Sequence, residues 1–301
     1  MYSCCYRLIS FCCEVKQSPQ ILFLYRLQRS SHETSVASAS GGLTNEILLS
    51  FFVSRQSSVV RLTTSETFHY SRLTIHEIAV LKYGKPSMLS VKTFTFNPVQ
   101  ENTYVLYNEA GLCCIIDPGC YFQQEQDELK NFIEEEALQP KLLLNTHCHL
   151  DHVFGNKWAA KVWDLKLHIH EKEKSVLDFG PQSGVLWQMP FENYDGELIY
   201  LKEGTTIKLV SDELGIRFTP GHSPGSVCFY YEPGGFVISG DVLFNGSIGR
   251  TDLPGGDFKT LINSIQTQLF TLPDETKVYS GHGTMTTVGL EKMNNPFVKL
   301  Y

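Results

Sequence analysis

Between Thr146 and His152 the chain reads Thr-His-Cys-His-Leu-Asp-His, which sets three imidazoles and one carboxylate within six positions. Neutral imidazole and carboxylate are the donors that zinc and similar divalent metals prefer. The run Lys141-Leu142-Leu143-Leu144-Asn145 just before it predicts a short buried strand. On a chain that stays extended past that strand, His147 and His149 share a face, because alternate residues point the same way. Asp151 and His152 follow as the chain turns into a helix beginning near Val153. The motif therefore offers a His pair and an Asp-His pair, two half-sites for neighbouring metals.

Further donors stand at predicted strand ends. His222 lies in Thr219-Pro220-Gly221-His222-Ser223-Pro224-Gly225-Ser226, Asp241 in Ser239-Gly240-Asp241, and His282 in Ser280-Gly281-His282-Gly283. A glycine adjoins each, and glycine tolerates the close backbone approach that a tight metal site needs. Ligands on loops held by rigid strands are where sites form. Incidental loop histidines are the competing explanation for the first cluster, and turn residues for His222 or Asp241 taken singly. The strand-to-helix context of the cluster and the repeated strand-end glycines favour the metal site. Cys148 faces away from its two His neighbours and Cys228 lies in a strand, so both read as packing residues. His168 and His170 alternate on a short strand and read as structural.

The elements that must position these donors lie in residues 88–301. Strands are predicted at Val91–Phe96, Thr103–Tyr107, Cys113–Ile116, Leu142–Asn145 and Leu167–Ile169. The second half adds strands at Thr206–Val210, Ile216–Thr219, Val227–Tyr231, Phe236–Ser239 and Lys277–Ser280. Leu129, Phe132, Ile133 and Ala137 recur at helical spacing across Glu125–Leu138, with Pro140 as the stop. Phe154–Val162, Glu171–Phe179 and Phe258–Phe270 are further helices. Residues 180–196 read as neither helix nor strand and, carrying Trp187, Met189 and Phe191, as a candidate pocket flank; core or lid is the competing reading of the aromatic stretch Trp187–Tyr194. Two strand-rich halves closed by helices imply two sheets packed face to face with helices outside.

Composition narrows the function. The chain has 301 residues and a net charge of −7. Residues 88–301 hold 16 Lys and Arg against 27 Asp and Glu, a net of −11, which argues against a nucleic-acid surface. No apolar run is long enough to span a bilayer. The nine cysteines show no paired secreted-type framework, which points to a reducing, cytoplasmic setting.

Residues 1–87 differ from the rest: nine Lys and Arg, five Asp and Glu, 15 Ser and no Asp. Their Ser-rich, acid-poor composition fits a targeting segment. Apolar islands at Ile21–Tyr25 and Ile47–Val53, without amphipathic elements, leave little from which to build an accessory domain. The change of composition at Met88 favours a native start there, or else a disordered leader.

His-x-His-x-Asp-His, Gly-His, Gly-Asp and Gly-His together resemble the metallo-β-lactamase superfamily across residues 88–301 and none of residues 1–87. Gly221–Ser226, Ser239–Phe244 and Gly246–Asp257 resemble its glyoxalase II branch, the last stretch matching the small bacterial members. The resemblance implies an α/β (α+β) four-layer αβ/βα sandwich with metals at one sheet edge. It implies His147, His149 and His222 on one metal, Asp151, His152 and His282 on the other, and Asp241 between them. Zn2+, one or two per chain, is the expected cofactor, with Fe or Mn as substitutes. The implied substrate is a small thioester such as S-2-hydroxyacylglutathione, attacked by metal-bound hydroxide, with Asp151 orienting that nucleophile. Longer glyoxalase II enzymes carry a helical C-terminal extension that grips glutathione; this chain stops at Tyr301, which leaves the thiol carrier open. Arg250 and Tyr194 are the candidate substrate contacts, Arg250 having Asp252 as a competing partner. An iron persulfide dioxygenase and a lactonase or β-lactamase are the alternative activities on the same fold. The sequence sets no oligomeric state.

Mass spectrometry of the natural protein is expected to place its N-terminus at Met88. A mature form beginning before residue 80 contradicts that start.

Overall fold

The computed structural model describes residues 88–298 together with the strands β1 (Asn45–Val53) and β2 (Gln56–Thr64). The chain divides into two units, residues 1–74 and 75–301. In the first, β1 and β2 pair antiparallel from Asn45 with Thr64 to Val53 with Gln56. The expectation of a disordered or non-native leader otherwise falls outside the described residues. The hairpin was not expected, because neither strand alternates cleanly; apolar and β-branched content (Leu48, Leu49, Val59, Val60) still suits extended backbone.

In the second unit the first half builds one six-stranded sheet, ordered β3 (Ser90–Phe96), β4 (Glu101–Tyr107), β5 (Leu112–Ile116), β6 (Gln139–Leu144), β7 (Leu167–His170) and β8 (Leu198–Leu201). The first three pair antiparallel, and β5 through β8 run parallel. The other six-stranded sheet has the order β16 (Thr286–Thr287), β15 (Lys277–Ser280), β12 (Phe236–Gly240), β11 (Val227–Tyr231), β10 (Asp212–Phe218) and β9 (Thr206–Leu209).

The pleat sorts side chains into three apolar layers. Tyr104, Leu106, Cys114, Ile116 and Leu144 of one sheet meet Ile216, Phe229, Tyr231 and Ile238 of the other. Their neighbours Val105, Cys113, Ile115 and Leu143 face the opposite way, toward Leu129 and Ile133 of α1 (Gln123–Glu135) and Ala159 of a later helix. Cys228, Val237 and Val278 face outward from the second sheet onto Leu261, Ile265 and Leu269. The order is helix, sheet, sheet, helix, as expected. Strands β4 and β5 are covered on both faces, which is why they read as nearly continuous apolar runs.

Three boundaries depart from expectation. Helix α1 ends at Glu135, five residues before Pro140; Ala137 takes φ +51° and Pro140 lies inside β6, where the register with β5 slips. A register irregularity is where a sheet accepts proline. The expected Phe154–Val162 helix is instead two, α2 (Leu150–Val153) and α3 (Asn156–Trp163), broken at Gly155, whose N–H donates to Pro118 O at 2.7 Å. Glu171–Glu173 form a 3-10 turn and α4 runs Lys174–Leu186, through Pro181 and the glycines that suggested an end. Gly180 and Gly184 sit against the Phe191 ring, and Trp187 at the helix end is exposed.

Phe229 is 0% exposed between the sheets. Phe229→Ala is expected to cost about 3–5 kcal/mol in a denaturant titration; a loss below about 1 kcal/mol would contradict this packing.

Candidate metal centre

All the donors sit just past the ends of strands along one edge of the sandwich. The chain leaves β6 at Leu144 and reaches His147 and His149, the residue before α2; Asp151 and His152 lie within α2. His222 follows β10, Asp241 follows β12 directly, and His282 follows β15. Hydrogen bonds sew this edge together across the two sheets. Asn102 Nδ2 donates to Ser280 O and Gly283 O (3.0 and 2.9 Å), and Tyr104 Oη donates to Ser280 O at 2.6 Å. The Val227 N–H donates to Thr146 O at 2.9 Å.

Two glycines are demanded by crowding. Gly221 takes φ +131°, and a Cβ there would press on the Leu261 backbone. A Cβ on Gly281 would collide with Asp241 Oδ1 and stand 2.7 Å from His152 Cε1.

The donor atoms form two groups. His222 Nε2 lies 2.8 Å from His149 Nδ1 and 3.2 Å from His147 Nε2. Asp151 Oδ2 lies 3.2 Å from His282 Nε2 and 3.7 Å from His152 Nε2. Within each group of three the ligand atoms fall within 4.8 Å of one another, a spread that a single metal ion fits. Asp241 faces both: Oδ1 is 3.4 Å from His152 Nε2, and Oδ2 is 3.5 Å from both His222 Nε2 and His282 Nε2. His152 Nε2 and Asp241 Oδ1 are buried with no hydrogen-bond partner, which a metal ion between them would satisfy. The structure thus brings together all seven residues picked from sequence.

Most of the ligand rings are also held from behind. The second ring nitrogen of His222 meets Arg250 O at 2.7 Å, that of His282 meets Gln100 O at 3.1 Å, and that of His152 meets Asp117 Oδ2 at 3.2 Å. His147 Nδ1 meets Thr146 Oγ1 at 3.1 Å. Such outer partners fix ring orientation and raise ligand basicity. Asp117, Thr146, Glu101 and Glu173 were not picked out from sequence. Asp117 read only as a strand end, Thr146 as the residue opening the motif and Glu173 as a helix residue, and Glu101 lay between two predicted strands. Glu101 is fully buried 3.8 Å from His152 Nδ1, and burial pushes its carboxyl well above the usual carboxylate range.

The two groups differ electrically. Burial, helped by neighbouring imidazoles, holds His147 well below its ordinary pKa and His149 down at about 3; burial also lowers His222. These three imidazoles are neutral, with a lone pair free to ligate. Burial opposes charge on His152 as well, but Asp241, Asp151 and Asp117 outweigh it and raise its pKa well above ordinary. At His282 burial is likewise overcome, here by the hydrogen bond to Asp151 and the charge of Asp241.

The side chains of the other candidates are engaged elsewhere, although the Arg250 carbonyl holds the His222 ring. Arg250 forms a bidentate pair with Asp252 (Nε to Oδ1 2.7 Å, Nη2 to Oδ2 2.6 Å). Tyr194 Oη donates to Glu197 O at 2.8 Å, and its ring packs on the helix-side core. A cavity of about 420 Å³ beside the cluster is lined instead by Phe244, Asn245, His282, Gly283 and Thr284. His168 Nδ1 meets Leu143 O, and His170 stacks on Phe218 at 4.6 Å, both structural roles. Cys148 and Cys228 are buried.

The fold is that of one family. The model of the metallo-beta-lactamase superfamily matches residues 96–282, and the chain belongs to that superfamily. It is 35% identical over 218 residues to the hydroxyacylglutathione hydrolase GloC of Haemophilus influenzae, spanning 70% of this chain and 98% of that protein. Two solved structures are also similar. The BLEG-1 B3 metallo-beta-lactamase is 36% identical with TM-score 0.65, covering 69% of this chain and 99% of its own. TTHA1623 in a di-iron-bound form is 37% identical with TM-score 0.62, covering 69% and 100%.

The carboxylates around His152, and to a lesser degree those around His282, favour the protonated imidazole, so a metal competes with protons there. Zn2+ uptake at pH 7 is therefore expected to release protons, and affinity is expected to fall as pH drops. Calorimetry in buffers of different ionisation enthalpy checks this; uptake without proton release would contradict it.

Proposed function

We propose that residues 88–301 form a metal-dependent thioester hydrolase of the glyoxalase II type, acting on a small S-acylated thiol such as S-2-hydroxyacylglutathione. The observation that carries the reading is the pair of complete three-donor groups sharing Asp241. His147, His149 and His222 would hold one ion, Asp151, His152 and His282 the other. Zn2+ is the proposed metal, with iron as the substitute that the di-iron relative suggests. When bound, such metals lower the pKa of water to roughly 7 and so supply hydroxide at neutral pH.

The chain's own groups do the rest. Asp151 is 7% exposed and anchored to His282 Nε2, so its carboxylate is placed to orient a nucleophile by hydrogen bond while ligating. The cavity beside His282, walled by Phe244 and Thr284, would receive the acyl group. A thiolate leaves without strong acid assistance, which agrees with the lack of a dedicated acid in the motifs. The similarity to GloC supports the thioester over other acyl substrates. The net charge of −11 over residues 88–301 supports a small-molecule partner rather than nucleic acid. Among the described residues no helix is long and apolar enough to cross a membrane, and the five cysteines are free and buried. We place the enzyme in a reducing cytoplasm on that chemistry.

The likeness to BLEG-1 supports a second reading, β-lactam hydrolysis by the same nucleophile. Thiol release from S-lactoylglutathione, with metal quantified in the same sample, tests the first. His149→Ala is expected to remove most of the metal and to lower turnover by more than about 100-fold, beyond the loss typical of an outer-shell change. Full turnover in that variant refutes the mechanism. Turnover of a chromogenic cephalosporin without thioester cleavage moves the assignment to the second reading. Stoichiometric iron with oxygen uptake on glutathione persulfide defeats both.

A further inference from the structure

Glu173 ends the 3-10 turn after β7, lies outside every ligand motif, and is 0% exposed. Its carboxylate accepts three hydrogen bonds. Oε2 takes the Cys148 N–H at 2.7 Å; Oε1 takes the Ser223 O–H and the Gly225 N–H, each at 2.6 Å. Cys148 stands between His147 and His149, and Ser223 follows His222. One side chain therefore ties together the two loops that carry the three-histidine group. Gly225 accommodates this contact, since a Cβ there would lie 2.8 Å from Glu173 Cγ.

A buried carboxylate is costly unless its oxygens are paired, and an apolar residue would fill the same space more cheaply. An ionised carboxylate is an acceptor at both oxygens, and all three partners here are donors. Glutamine keeps the volume but turns an NH2 toward one of those donors. None of the three bonds goes to Asp151, His152 or His282 themselves; Cys148 is bonded in the segment that runs on into α2, where His152 is held separately by Asn145 and Asp117.

We propose that Glu173 is the positioning residue of the three-histidine half-site, setting the span between the His147/His149 loop and the His222 loop. The inference rests on the metal reading above. It concerns where the imidazoles stand, and assigns Glu173 no contact with substrate.

The test measures zinc affinity by competition with a chromophoric chelator, in two backgrounds of the full chain. His282→Ala leaves the three-histidine half-site; His149→Ala, which is expected to lose most of its metal on purification, leaves the other half-site to be titrated with added zinc. Added to His282→Ala, Glu173→Gln is expected to weaken zinc binding about 10–100-fold, the usual range for an outer-shell partner. Added to His149→Ala, it is expected to change affinity by less than about twofold. Ser223→Ala removes one of the three donors and leaves the carboxylate in place; it is expected to give a smaller loss in the same background only. If Glu173→Gln does not fold, Ser223→Ala decides by the same rule. Equal losses in both backgrounds, or no loss in His282→Ala, overturn the assignment of Glu173 and leave the metal reading standing. A wild-type chain that takes up no metal overturns both.

Discussion

Asp117 closes the end of β5 and accepts four hydrogen bonds there: from Asn145 Nδ2, from the Thr146 N–H, from Thr146 Oγ1 and from the His152 ring. The rest of the centre depends on this buried carboxylate. β5 and β6 are parallel, with Ile116 paired to Leu144, so their C-terminal ends are neighbours and Asp117 meets the turn that leaves β6. That turn is pinned before the first ligand appears, and the same carboxylate then sets the ring of the last ligand in the motif. In a mostly parallel sheet the carboxyl ends of strands are where backbones diverge and a ligand can lodge. Here the second sheet brings its own strand ends to the same edge, held by Asn102 and Tyr104.

Packing five imidazoles and two carboxylates at one edge is expensive without compensation, since a buried polar group left unpaired costs about 1–3 kcal/mol. The structure offsets much of this with partners outside the ligand set, two of them backbone carbonyls, Arg250 O and Gln100 O. Burial keeps the three-histidine group neutral. The carboxylates around His152 and His282 favour protons on the other group. The two halves of the centre thus differ in electrostatics as well as in ligand type, although Asp241 serves both. Asp241 itself is held well below the usual carboxylate range, the surrounding imidazoles overcoming the effect of burial.

The donor chemistry of the centre and the shape of the space beside it are set by different parts of the fold. The donors are carried by strand ends that the sandwich fixes rigidly, whereas the cavity wall beside His282 comes from the short strand β13 (Leu243–Phe244) and the turn at Gly283 and Thr284. Relatives bearing the names of a thioester hydrolase and of a β-lactamase stand at nearly equal identity to this chain. On the proposed reading, the donor set would make the nucleophile and the wall would select the carbonyl that reaches it.

The seven ligand-type residues were legible in the sequence because metal chemistry is dense and local: donors cluster within a few positions or sit beside a glycine after an apolar run. The layered fold was legible for a similar reason, since period-two and helical spacing record which faces are buried. The partners that orient the ligands were not. Asp117 meets Thr146 across 29 positions and Glu173 meets Ser223 across 50, and nothing adjacent to either carboxylate announces its target. The break at Gly155 and the place of Pro140 inside β6 escaped as well, because both depend on what a neighbouring element presents: Pro118 O in one case, a slipped register in the other. By itself the sequence determined the donors and the layers, since residue type and spacing suffice for both. Only the tertiary structure decided how the donors divide, which side chains hold them and which residues wall the cavity beside His282, because those depend on contacts between residues far apart in the chain.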